Sequence, residues 1–298
     1  MQPTITAIIL TFNEEQHIER CIRSLSGIVD QVFVIDSYSH DKTTEIAEAL
    51  GVKVLQNKFV NQAVQFNWAL DHCDIAGDWI IRIDADEYVE NPRTIDVKEY
   101  LSQLPADITG LHIDRKIVFM GKPLLHGGWY PKKNLRVFRT GIGRSEERWM
   151  DEHIVLSSGT CGDLPIDFVD ENLNNLTWWI QKHNLYANRE VVDFYLTKFQ
   201  MQNDHEVLPK LFGSEAERKR WLKEKYMNFP FFLRPLINFI YRYIILRGFL
   251  DGKQGLMWHF LQGFWYRFLV DAKIYELEKK MGGDQERIVE YIRGRYRI

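Results

Sequence analysis

The sequence predicts an α/β fold: a parallel, doubly wound sheet in the front half, followed by a helical, amphipathic C-terminal region. Two observations carry that prediction. Short β-branched, apolar runs alternate with helical stripes through the first part of the chain, the rhythm of βαβ units. From Asn172 onward that rhythm stops, and longer helical patterns rich in aromatic and basic residues take over.

Thr4–Leu10 (TITAIIL) reads as a buried first strand. Asn13 is a helix N-cap candidate, with Glu14 and Glu15 in the first turn and Gln16 three residues on. The helix Glu14–Leu25 places Ile18, Cys21, Ile22 and Leu25 on one apolar stripe and ends at Gly27. Gln31–Asp36 (QVFVID) is the second strand. Asp41 is expected to cap a helix Lys42–Leu50, stopped by Gly51. Val52–Asn57 is the third strand, Gln62–His72 a third helix, and DWIIRIDADE (residues 78–87) the fourth strand with its end.

Composition bounds the reading. Apolar residues make up 45% of 298, enough for a sizeable core. Three scattered cysteines (Cys21, Cys73, Cys161) argue against a disulfide framework and for a reducing compartment. The N-terminus shows no signal-peptide pattern, which points to a cytoplasmic location. The net charge of −3 is split: residues 1–208 carry 20 Lys+Arg against 31 Asp+Glu, and residues 209–298 carry 18 against 10. A basic, aromatic tail on an acidic body suggests contact with an anionic surface, with a solvated basic helical face as the plainer alternative.

In doubly wound sheets ligands bind at the carboxyl ends of the strands. Three strand ends here are polar: Thr11 and Asn13, Asp36, and Asp84, Asp86 and Glu87. No G-x-G-x-x-G follows the first strand, and no G-x-x-x-x-G-K-[ST] occurs. A nucleoside diphosphate would therefore be neutralised by other means. In extended backbone Asp84 and Asp86 of the D-x-D would face the same way, two carboxylates suited to Mg²⁺ or Mn²⁺. An acidic surface turn is the default for an isolated D-x-D; its place at the end of a buried strand favours the metal–diphosphate reading.

The segments TAIILTFNEEQHIERCIRSL, VFVIDSYSHDKTTEIAEALG, NWAL and DWIIRIDADEYV, in that order, resemble the N-terminal motifs of family 2 glycosyltransferases. The likeness is to the bacterial subgroup that builds lipopolysaccharide core and surface polysaccharide. It continues through GGWYPKKNLRVFR (127–139), DEHI (151–154) and residues 234–256. The resemblance implies a Rossmann-like, A-type nucleotide-diphospho-sugar transferase fold, a nucleotide-sugar donor, a divalent cation (Mn²⁺ or Mg²⁺) and inversion at the anomeric carbon. UDP is the commonest base in such relatives, with GDP and dTDP open. It also implies a catalytic domain over 1–225, with a nucleotide-sugar half (1–110) and an acceptor half (111–225), followed by a helical region over 226–298.

Roles follow by position from that resemblance. Asp36 meets the nucleobase or ribose, and Thr11 and Asn13 line the same pocket. Asp84 is the acid nearer ribose and metal, and Asp86 the main metal ligand. Asn13 acting only as a cap is an equal alternative. The related sequences often place a basic residue near Gln65; its absence here puts a diphosphate contact from that helix in doubt. The base that takes the acceptor's proton is assigned to Asp151, with Glu152 as alternative. His153 is a candidate further metal ligand, weighed against a half-buried histidine with one hydrogen bond. Trp129 is a candidate sugar-stacking wall beside Tyr130, and one of Arg136 and Arg139 a candidate phosphate clamp.

The acceptor is expected to be a lipid-linked saccharide, and residues 229–270 a membrane-associating or oligomerisation surface. Neither RPLINFIYRYIILRGFL nor LMWHFLQGFWYRFLV reads as a transmembrane span, since spanning takes about 20 apolar residues and charges interrupt both. An interfacial anchor on the inner face of the cytoplasmic membrane is favoured over a subunit interface. A nucleotidyltransferase would need a basic, glycine-rich loop where TFNEEQ stands, and a D-x-D phosphatase would place its acid on the first strand. A catalytically dead, membrane-docked scaffold is the non-enzymatic alternative, and nucleic-acid binding finds no support in so aromatic a basic region.

Overall fold

A computed structural model describes residues 2–91, 94–146, 153–199 and 229–296. The chain divides into two compact units, 1–173 and 174–298. The expected boundary near residue 225 falls outside the described residues.

The first unit begins as the sequence predicts. Strands β1 (Ile5–Thr11), β2 (Gln31–Asp36), β3 (Lys53–Gln56) and β4 (Trp79–Asp84) alternate with helices α1 (Ile18–Ser24), α2 (Thr43–Ala49) and α3 (Gln62–His72). β3, β2, β1 and β4 lie side by side, all parallel. Side chains of β1 alternate between two buried faces. Ile5, Ala7 and Ile9 join α1 and α2 on one, and Ile8 and Leu10 join Phe66 and Ala69 of α3 on the other. Each such fully buried aliphatic side chain contributes about 1.5–3 kcal/mol. α1 and α2 are followed by Gly27 (φ 76°) and Gly51 (φ 77°), left-handed positions that glycine fills without strain.

Beyond β4 the sheet turns mixed. The strands β5 (Glu87–Glu90), β6 (Ile108–Phe119), β7 (Lys122–Pro123), β8 (Lys133–Arg139) and β11 (Thr160–Asp170) extend it, with α4 (Val97–Ser102) between β5 and β6. The order is β3-β2-β1-β4-β8-β6-β11-β5, with β7 paired to β6. β8 runs antiparallel to β4 and β6, β11 parallel to β6, and β5 antiparallel to β11. β9 (Gly143–Ser145) and β10 (Ile154–Leu156) form a separate two-stranded ribbon.

The second unit is helical among its described residues. α5 (Leu176–Lys198) packs against α8 (Tyr266–Met281) and α9 (Gln285–Tyr296), through Val191, Tyr195, Ile274 and Ile288. The segment 234–250 is not one continuous α-helix. α6 (Leu233–Ile240) runs into a π-helical turn (Tyr241–Ile245), and Arg247 is left-handed (φ 58°). α7 (Gly252–Trp258) likewise continues through a π-helical stretch (His259–Trp265) into α8. The buried ion pair Arg234–Asp271 ties α6 to α8. No described helix is long and apolar enough to cross a membrane.

Candidate active site

The parallel register brings the polar strand ends together. Thr11 is the partner of Asp36 across β1 and β2, and Leu10 is the partner of Asp84 across β1 and β4. These residues therefore stand side by side on the carboxyl edge of the sheet.

Asp36 is fully buried, and its carboxylate is held within the protein. It accepts from the Ser39 amide (3.0 Å), the Ser39 hydroxyl (2.5 Å) and Gln56 Nε2 (3.0 Å). The Ser39 hydroxyl oxygen in turn accepts from the Asn13 amide, at 2.8 Å. The Asn13 side chain does not cap α1. Its Oδ1 accepts from the His40 amide (2.8 Å), its φ is 55°, and α1 starts only at Ile18, after a turn. The N-cap expectation is corrected accordingly: Asn13 stitches the loop after β1 to the loop after β2. Asp41 does not occupy the N-cap position, which is Lys42; from one residue earlier it accepts from the Thr43 amide and hydroxyl and, with its other oxygen, from the Glu15 amide. The Thr11 hydroxyl is buried and has no hydrogen-bond partner.

The D-x-D departs from the extended geometry expected of it. β4 ends at Asp84, and Ala85 and Asp86 form a turn before β5 starts at Glu87. Asp84 Oδ2 accepts from Arg136 Nη2 (3.2 Å), and Oδ1 lies 4.0 Å from Arg82. Burial alone would raise the Asp84 pKa, but Arg136, Arg82 and Arg115 outweigh it and hold the carboxyl well below the usual range. Glu87 behaves oppositely: burial and the neighbouring Asp84 charge push its pKa up, against the pull of Arg136 and Arg115. Asp86 accepts from Asn172 Nδ2 (3.2 Å), and Arg20 donates to its carbonyl oxygen (3.4 Å).

These acids suit a hard cation. Asp84 Oδ1 is buried without a hydrogen-bond partner, and Asn172 engages a single oxygen of Asp86. Among the described residues no group of three or more His, Cys, Asp or Glu side chains converges for a metal. A cation held by Asp84 and Asp86 would thus draw the rest of its shell from water or ligand, as Mg²⁺ does at phosphate sites.

The remaining candidates sit elsewhere in the unit. Asp151 and Glu152 lie outside the described residues. His153, just before β10, is 74% exposed, and its Nδ1 is 2.9 Å from Glu146 Oε1. Trp129 is half-buried on the loop before β8, reached through Gly127 (φ 72°) and Gly128 (φ 71°). Tyr130 donates to Asp167, which also pairs with Lys116. Of the two arginines weighed as a phosphate clamp, Arg139 stacks on Trp79 and donates to the Ile108 carbonyl, whereas Arg136 reaches the acids. Gln65 and Asn67 point apart: Gln65 bonds Asn57 and Ser37, and Asn67 bonds the Ser145 backbone. Sequence reasoning missed Ser39, Arg82, Arg115 and Asn172. Arg115 and Asn172 meet partners far away along the chain, whereas Ser39 and Arg82 lie three and two residues from Asp36 and Asp84 and carried a local signal.

A half-parallel sheet ending in an acidic turn, with polar residues along one carboxyl edge, defines the A-type fold of nucleotide-sugar transferases. Residues 6–150, just under half of the chain, match the model of glycosyl transferase family 2. An "uncharacterized glycosyltransferase" of Rickettsia bellii is 47% identical over 121 residues, 41% of this chain and 38% of that protein. A second such protein, of Rickettsia felis, is 46% identical over 28% of this chain and 29% of its own length, so the chain spans well under half of either relative. The lipopolysaccharide core biosynthesis glycosyltransferase LpsC of Rhizobium meliloti is 25% identical over 91% of this chain and 92% of its own. Among solved structures, glucosyl-3-phosphoglycerate synthase of Mycobacterium tuberculosis aligns with 39% of this chain and 45% of its own, at 24% identity and a TM-score of 0.32.

Proposed function

We propose that this protein is an inverting glycosyltransferase that moves a sugar from a nucleoside-diphosphate sugar, with UDP the favoured nucleotide, to a lipid-linked saccharide. The family of residues 6–150 supports the reaction class, and the likeness to LpsC along nearly the whole chain supports a place in lipopolysaccharide or envelope polysaccharide synthesis. The observation that carries the reading is the acidic turn at the carboxyl edge of the sheet, with a buried, unsatisfied oxygen on Asp84.

Asp84 and Asp86 would hold Mn²⁺ or Mg²⁺, which when bound supplies Lewis-acid stabilisation of a departing diphosphate. The Thr11 hydroxyl, desolvated and without a partner, offers a hydrogen bond to the donor, because an unmade bond there costs more than a made one. The Asp36–Ser39–Asn13 chain sets the shape of the neighbouring pocket wall. Asp151, or Glu152, takes the proton of the acceptor hydroxyl as its oxygen attacks the anomeric carbon. Trp129 offers an aromatic face to a sugar ring. The helices of residues 229–270 rest on the inner face of the cytoplasmic membrane, where a lipid-linked acceptor is presented.

Thermal shift with Mn²⁺ and a panel of nucleoside diphosphates tests the donor half. A ligand at about 100 times its Kd adds about 2.7 kcal/mol of stability, and this shift should vanish in Asp86→Asn. Asp151→Asn should keep the shift while transfer falls by about 10²–10⁴-fold, the usual worth of a general base. Unchanged turnover in Asp151→Asn removes that assignment. The absence of any shift across the panel removes the donor reading.

A further inference from the structure

Glu87 has no part in the mechanism above, yet it is buried to 2% exposure directly beside the acidic turn. Its Oε2 accepts from the backbone amide of Asp84 at 3.1 Å. Its Oε1 lies 3.3 Å from Arg136 Nη2 and 3.6 Å from Arg115 Nε. The same Arg136 nitrogen is 3.2 Å from Asp84 Oδ2, so one NH₂ group is held between the two carboxyls, with a hydrogen for each, and its position is set by both. Arg115 is committed on its other side to Asp170 of β11. The space enclosed by Glu87, Ile113, Arg115, Asn134, Arg136 and Phe168 is too narrow to admit a water molecule. Glu87 is buried while the Arg115 and Asp84 side chains keep 30% and 24% exposure, so the charges are partly screened, and removing one partner shifts its counter-ion towards the next.

We propose that Glu87 is a positioning residue of the acidic turn: its carboxyl draws Arg136 partly away from Asp84 and so keeps Asp84 open to the donor's divalent cation. The assignment rests on the donor-site reading given above. Without Glu87, Asp84 still faces that Arg136 nitrogen. A guanidinium seated fully on Asp84 would consume its oxygens and repel a divalent cation. The hydrogen bond to the Asp84 amide fixes the turn at the same time, so one side chain sets both the place and the availability of the ligand.

The test is Mn²⁺ binding to the full chain in the presence of UDP at pH 8, read from the electron paramagnetic resonance signal of free Mn²⁺. Glu87→Gln should weaken Mn²⁺ binding about tenfold or more. Arg136→Gln should tighten it a few-fold, and the double variant should return to within about threefold of the parent, a coupling that a double-mutant cycle isolates. Parent-like affinity in Glu87→Gln, or a double variant as weak as Glu87→Gln, overturns the assignment. If Glu87→Gln fails to fold, Arg136→Gln alone decides: tighter binding supports the assignment and weaker or unchanged binding overturns it. Should the unsubstituted protein bind no Mn²⁺ with UDP, the donor-site reading falls and this assignment with it, a failure visible before any substitution is made.

Discussion

Asp36 has three hydrogen bonds inside the protein, and the hydroxyl of its neighbour Thr11 has none. Both were expected to face the donor pocket, and their hydrogen bonding inside the protein differs. A carboxylate at a strand end cannot remain buried unless its oxygens are met, and the Ser39 turn and Gln56 meet them. A threonine hydroxyl is small enough to be left for a ligand. Asp36→Ala should therefore act on stability, costing about 1–3 kcal/mol as the buried donors lose their acceptor, measured by urea unfolding. The same logic explains what the sequence hid in the D-x-D. Its acids were legible as hard ligands, and Arg82 shares β4 with Asp84, but Arg115 and Arg136 come from β6 and β8. No local pattern marks an arginine on one strand as the partner of an acid on another.

At the scale of elements, the four-strand, three-helix opening was legible because each strand is a short apolar run and each helix has a single stripe. The later strands were not, because β6 and β11 mix buried apolar positions with the paired charges Arg115, Lys116, Asp167 and Asp170. The broken helices of the second unit also escaped. The two pack closely at one point: a Cβ on Gly248 would fall 2.2 Å from the His259 ring. His259 and His183 are both pushed down to about 4, chiefly by burial. Arg242 depresses His259 further, against Asp251, and Lys182 depresses His183, against Gln262 and the Trp179 carbonyl. Their folded pKa values lie below the unfolded value of about 6.5. The stability they support is thus fully present above pH 6.5 and is lost as pH falls towards 4, where the unfolded chain binds protons that the folded chain refuses. Thermal melts between pH 7 and 4.5 should show this loss, about 1–3 kcal/mol per histidine. His259→Asn should flatten the dependence.

For the whole molecule, the basic, aromatic tail read from composition corresponds to a unit with many large apolar side chains in contact with solvent. Leu236, Ile237, Ile240, Ile244, Ile245 (63% exposed) and Phe260 are among them. Arg242, Arg247, Lys253 and Arg267 lie in the same stretch, with Asp251 its sole acid. Apolar side chains among cations match the surface of an anionic bilayer. Ending the chain near Asn228 would be a poor test, because α5 would lose α8, against which it buries Val191 and Tyr195. The combined substitution Ile237→Glu, Ile240→Glu and Ile244→Glu changes exposed positions alone. It should abolish flotation with liposomes containing anionic lipid while leaving the melting temperature within a few degrees; equal flotation of the two proteins would refute the anchor.

The acidic turn also joins two distant places. β4 lies in the middle of the sheet beside β1, and β5, only two residues further on, forms the sheet's far border on β11. The main chain around Ala85 is pinned on one side by the Leu10 carbonyl and on the other by the pairing of Glu87 with Asp170. The backbone carrying the two aspartates thus has no slack. Like a rope made fast at both ends, it gives way only if one of its moorings does. An added residue there would have to lift a strand from its neighbour before it could be accommodated, so an insertion at this point costs the sheet part of a pairing.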